Sequence, residues 1–198
     1  MKRLLCIATC LLLFAPAVPA LAGKREAWKF LEFDGQGHAE ERELVLLLNL
    51  AQKWGLVEQA DLDAPDRRPD VFIALEDMDG DGEPEIFAMF TGPFYCGTGG
   101  CPFQLLRRGP DGNWRIIWDH ISGDPEGMAV GPLRNGPREV LFAGGGPHSG
   151  DDPSCPVWGY TGKRYDLISR MPHSRRPCRE AVARHANGIG SLTPVTRP

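Results

Sequence analysis

Apolar residues recur at three- and four-residue spacing most clearly in one stretch, 39–54, where Leu44, Leu47, Leu48, Ala51 and Trp54 share a stripe. Glu40, Glu41 and Glu43 fall in its first turn, where the helix dipole favours negative charge, and Gly55 is placed to end it. The spacing predicts one helix whose stripe packs on a sheet. Asp61 to Pro69 is polar and proline-bearing, and reads as a loop. From Val71 onward the pattern changes to short apolar runs between Gly, Pro and Asp. Val71–Leu75, Glu85–Phe90, Phe103–Arg107, Trp114–Trp118, Met128–Val130, Glu139–Ala143, Val157–Tyr160 and Arg164–Ile168 all suit strands. Asp111-Gly112-Asn113 and Thr161-Gly162-Lys163 are hairpin turns by composition. Asn187 to Pro198 has no periodicity and reads as a loose tail. The fold class expected is α+β: one N-terminal helix packed on antiparallel β hairpins.

Sliding the chain against itself by 54 residues sets Gly82 on Gly136, Glu85 on Glu139, Gly92 on Gly146 and Pro93 on Pro147. At the same offset Cys101 falls on Cys155 and Pro102 on Pro156, with Ile86 on Val140 and Phe87 on Leu141. The coincidence predicts a duplicated β unit, 71–123 and 125–170. Composition agrees with a strand-and-turn chain, since 24 glycines and 18 prolines make up about a fifth of 198 residues, against a usual ~12%. The balance of hydrophobic and charged residues excludes wholesale disorder and a coiled coil, and disfavours nucleic acid as a main partner.

Lys2 and Arg3, the apolar run Leu4 to Phe14 and the close Ala20-Leu21-Ala22 form the pattern of a signal peptide over 1–22, cut before Gly23. The run is too short to span a membrane, and Pro16 and Pro19 interrupt its tail. Cleavage removes two positive charges and no acid, taking the formal charge from −4 to −6. It also removes Cys6 and Cys10, leaving Cys96, Cys101, Cys155 and Cys178. An even count in an exported chain reads as disulfides. Cys96 and Cys101 flank the glycine-rich turn Gly97-Thr98-Gly99-Gly100 and can close a small ring, which leaves Cys155 for Cys178. Swapped pairing between the two units is the rival arrangement. The product expected is one domain, 23–186, in a periplasmic or secreted location, with a flexible tail over 187–198. Charge is uneven along it: residues 23–90 carry 7 Lys/Arg against 17 Asp/Glu, and residues 163–198 carry 8 against 2.

The segment Asp77-Met78-Asp79-Gly80-Asp81-Gly82-Glu83-Pro84-Glu85 carries the clearest chemistry. Calcium is a hard cation that takes six to eight oxygens, and carboxylates at loop positions 1, 3 and 5 turn inward on a tightly curled backbone. Here those are Asp77, Asp79 and Asp81, with Gly82 at the sharp turn, the main-chain carbonyl of Glu83 at position 7 and Glu85 at position 9. An EF-hand begins in the same way but ends on a bidentate Glu, where this chain has Ala88. The strand-like flanks are not its helices either. Phe72 to Phe90 instead resembles the calcium-binding hairpin of FG-GAP or VCBS repeats, the units of integrin-type β-propellers. Those repeats carry Asp-x-Asp-x-Asp-Gly-x-x-Asp between two strands, with Glu85 standing here for the last Asp. The resemblance implies Ca2+ as ligand and a partial, propeller-like arrangement. The second unit has lost its ligands, with Gly131, Leu133 and Asn135 at the aspartate positions.

A third constellation, His148 with Asp151 and Asp152 in a glycine-rich loop, offers metal-ligand or acid–base chemistry. No Gly-x-Ser-x-Gly, His-Glu-x-x-His or paired zinc motif occurs in the chain. The reading that results is a calcium-stabilised, disulfide-bonded binding or scaffolding module of a bacterial envelope, with a protein or glycan partner there. A hydrolase using His148, Asp151 and Asp152 is one alternative, and an inhibitor presenting the Cys96–Cys101 loop is another. Exposed tryptophans among Trp114, Trp118 and Trp158 would point to a glycan.

Overall fold

The computed structural model describes residues 27–33, 41–64, 66–97, 100–122, 127–143 and 154–188. Residues 1–22, expected to be a signal peptide, the segment with His148, Asp151 and Asp152, and residues 189–198 lie outside them. Among the described residues nine strands form two open antiparallel sheets. The first contains β2 (Asp70–Glu76), β3 (Glu85–Thr91), β4 (Cys101–Arg108) and β5 (Trp114–Ser122) in chain order. The second adds β1 (Lys29–Phe30) to the edge of β6 (Ala129–Val130), β7 (Val140–Leu141), β8 (Cys155–Tyr160) and β9 (Tyr165–Met171). Each of the eight apolar runs overlaps a strand, and the first sheet's strands are near-continuous in apolar residues because both of its faces are covered. The short β1 was not expected. It is recruited by backbone pairing, Lys29 opposite Val130 and Phe30 opposite Ala129, and carries no alternation of its own.

The sheets meet through one core. Phe72, Phe87, Met89, Phe103, Leu105 and Trp118 of the first pack with Leu31, Met128, Val130, Val140, Phe142 and Tyr165 of the second. The opposite face of the first sheet, Ile73, Ile86, Ala88, Phe90 and Leu106, is covered by Leu47 and Ala51 of α1 (Glu41–Lys53), together with Val57. This helix lies within the expected 39–54.

The single-helix expectation is corrected elsewhere. A short α2 (Gln59–Asp63) occupies the start of the expected loop, and α3 (Arg176–Gly188) covers the outer face of the second sheet. Cys178 and Ala181 of α3 pack there with Ala129, Leu141, Cys155 and Val157. Small buried residues and an early Pro177 hid α3 from a search for large apolar stripes, although proline is tolerated in a first helical turn. The helix also takes in 187 and 188, which the sequence assigned to the tail. From one side to the other the layers are therefore helix, sheet, sheet, helix.

Two disulfides join Cys96 to Cys101 and Cys155 to Cys178. The second fastens β8 to α3. Disulfides of this kind persist in oxidising compartments. Among the described residues no helix is long and apolar enough to cross a membrane.

Candidate metal centre

The segment between β2 and β3 curls into the acidic loop 77–84. Gly80 and Gly82 sit at φ 81° and 90°, a region that residues with a side chain rarely enter. A Cβ at Gly80 would also collide with the side chain of Leu133. The curl turns backbone donors inward onto the first aspartate. The Gly80 N–H donates to Asp77 Oδ1 at 2.7 Å and the Gly82 N–H to Asp77 Oδ2 at 3.1 Å. The Asp81 N–H donates to Asp79 Oδ1 at 3.3 Å.

Oxygens of Asp77, Asp79 and Glu85 lie within 4.8 Å of one another. Asp81 is not in that group: its carboxylate faces solvent and accepts the Glu83 N–H at 2.8 Å. The Glu83 side chain is exposed. Glu85 closes the cluster from the first position of β3, with its side chain only 4% exposed. Its Oε2 accepts the buried Met78 N–H at 2.8 Å. Burial holds the Glu85 carboxyl above its ordinary range, and the Met78 and Arg107 hydrogen bonds offset part of that rise.

Arg107 of β4 joins the candidate site, and motif reading missed it. Its Nε donates to Glu85 Oε1 at 2.7 Å, and its Nη2 stands 3.3 Å from Asp79 Oδ2. The guanidinium lies over the ring of Tyr160 in the second sheet, 5.0 Å from its centroid. Register explains the placement. Ile86 pairs with Leu106, so Glu85 and Arg107 are the next residues along that ladder. Opposite charges facing across strands would have been the signal to look for, once the register was known.

Arg138 is the second missed residue, and it ties the loop to the other sheet. Its backbone N–H donates to Met78 O at 2.6 Å, and its side chain reaches Asp77 O at 3.1 Å and Gly131 O at 3.0 Å. The phenol of Tyr165, kept protonated by burial, donates to Arg138 O at 2.9 Å. Lys29 Nζ pairs with the buried Glu76 at 2.6 Å where β2 enters the loop.

Three clustered carboxylates against one guanidinium leave a local charge of −2 at full ionisation, which a divalent cation would balance. All-oxygen donors at this spacing suit hard cations rather than the softer transition metals. The tryptophans form no exposed platform: Trp118 is 3% exposed, and Trp114 and Trp158 are half-buried. The Cys96–Cys101 loop is braced by reciprocal Gly97 and Gly100 backbone bonds of 2.9 and 3.0 Å, and Phe94, two residues before it, is 62% exposed. No protein-family model matches this chain, and no curated protein or solved structure matches it.

Proposed function

We propose that this chain is an exported, calcium-stabilised, disulfide-bonded module that binds or scaffolds partners in a bacterial envelope. The convergence of Asp77, Asp79 and Glu85 beneath a curled glycine loop supports the metal-binding part of this reading. Calcium is favoured within the class of hard cations, because its flexible coordination accepts carboxylates, the Glu83 carbonyl and water at once. Magnesium demands a stricter octahedron and gives up its water reluctantly. The residual charge of the cluster fits either ion, so coordination flexibility is what selects.

The duplication reading supports a bracing role for the metal. Four consecutive antiparallel strands recur in each sheet, and Cys101 opens β4 as Cys155 opens β8. The ligand-free loop 131–139 of the second unit touches the acidic loop of the first, through Leu133 against Gly80 and Arg138 against Met78. A cation in one loop thereby steadies the junction of both sheets.

Thermal unfolding in calcium and in EGTA tests the reading. At free metal a hundred times its dissociation constant, one native-state site adds about 2.7 kcal/mol. The melting temperature is expected to rise by several degrees with calcium, less with magnesium, and not at all in Asp79→Ala. Superimposable wild-type melts in calcium and EGTA would refute it.

A further inference from the structure

Helix α3 begins with cations where its own field disfavours them. Arg175 precedes it, Arg176 opens it and Arg179 follows within the first turn, which contains no acid. The amino-terminal end of a helix carries partial positive charge, so this arrangement opposes helix stability. Local rules are usually broken where function asks for it. The arginines have a common direction. Cys178 and Ala181 are buried against the second sheet, whereas Arg176, Arg179, Ala183 and Arg184 are exposed on the outer arc.

The same surface is both concave and partly apolar. A shallow depression is lined by Phe30, Arg176, Glu180, Ala183 and Arg184. Arg184 lies 4.3 Å from the centroid of the Phe30 ring, and Glu180 accepts from Arg176 Nε at 2.7 Å. On β9, at the edge of this sheet opposite β1, Ile168 is 49% exposed. It lies against Gly159, whose neighbours Trp158 and Tyr160 turn to the inter-sheet core, so Ile168 is on the outer face that α3 only partly covers.

Charge is segregated across the layers. Residues 41–97, which include α1 and the acidic loop, carry four Lys/Arg and thirteen Asp/Glu. Residues 163–188 carry seven Lys/Arg and two acids. Helices α1 and α3 cover opposite outer faces, so a negatively charged surface would orient the molecule with α3 toward it.

We propose that the α3 face docks on a bilayer containing anionic phospholipid. Guanidinium groups match phosphate oxygens in paired hydrogen bonds. The depression between Arg176 and Arg184, two helical turns apart, gives a headgroup phosphate a seat. A soluble polyanion would satisfy the arginines equally well, but it has no use for a half-exposed Ile168. The boundary between headgroups and acyl chains does.

The test is co-sedimentation of the mature full-length protein with phosphatidylcholine vesicles, with and without phosphatidylglycerol. Binding is expected only with phosphatidylglycerol, and to weaken about a hundredfold in the triple variant Arg176→Gln, Arg179→Gln, Arg184→Gln. An unchanged circular-dichroism melt of that variant establishes that its fold is intact; should it melt early, single Arg179→Gln, expected to lose about fivefold, replaces it. Asp66→Asn, on the acidic side, is expected to bind as the wild type does. Ile168→Ser should weaken vesicle binding while leaving any retention by soluble polyphosphate untouched. Binding to neutral vesicles alone, full affinity in the arginine variants, or capture by polyphosphate without vesicle binding would each overturn the proposal.

Discussion

His120 on β5 sits among aromatic rings, with centroids 4.8 Å from Trp158, 5.3 Å from Phe142 and 5.7 Å from Trp118. Burial there lowers its pKa from the usual 6.5, with the nearby Asp119 charge pulling the other way and losing. The unfolded chain consequently binds a proton at a higher pH than the native one. The stability that the neutral ring contributes is complete above the unfolded pKa and is lost as pH falls through the interval below it. Between about pH 7 and 5 the unfolding free energy is expected to drop more steeply in the wild type than in His120→Phe. Denaturant titrations across that range decide it, and parallel slopes would remove His120 as the cause.

Helix α3 illustrates how an element can exist without the packing that usually holds one. Thirteen residues are too few for a stable isolated helix, and among the described side chains of α3 only Cys178 and Ala181 are fully buried. The Cys155–Cys178 disulfide supplies what the small stripe lacks, by restricting the unfolded chain across a separation of 23 residues. In the chain-entropy model such a closure is worth about 3 kcal/mol. Replacing both cysteines with serine is expected to cost that much in chemical denaturation. Hydrogen exchange should also accelerate across 176–188 while β3 and β4 keep their protection. Unchanged α3 amides would show that the disulfide does not hold the helix down.

The two sheets are expected to unfold together, because each buries its inner face only against the other. Trp118 from the first sheet touches Phe103 at 5.2 Å in its own layer and reaches Trp158 at 5.3 Å, Phe142 at 6.0 Å and Tyr165 at 6.1 Å in the other. The acidic loop adds the backbone bond from Arg138 to Met78 across the same junction. Trp118→Ala is expected to lose about 3–5 kcal/mol and to lower one transition for the whole molecule. Calorimetric and van't Hoff enthalpies should agree in the wild type. Two resolved transitions would mean that the sheets unfold separately.

What could be read from the chain unaided has one physical character: it is local. A short apolar run between turn residues marks a strand such as Glu85–Thr91 within seven residues, and the stripe of Leu47, Leu48 and Ala51 marks α1 within two turns. Asp77, Asp79 and Glu85 could be grouped because a single curl of nine residues brings them together, and Cys96 and Cys101 because glycines fold a six-residue ring. What tertiary structure alone decided depends on partners far along the chain. Arg107 reaches Glu85 through a strand register that no local pattern encodes, and Arg138 reaches Asp77 from the opposite sheet. Strand β1 exists because β6 offers it an open edge, and α3 because a disulfide and a waiting sheet face make up for small residues. Asp81 shows the limit from the other direction. Its place in the motif is as regular as that of Asp79, yet its carboxylate caps a backbone N–H and faces water. Spacing sets which groups are able to meet, and the free energy of the folded arrangement selects those that do.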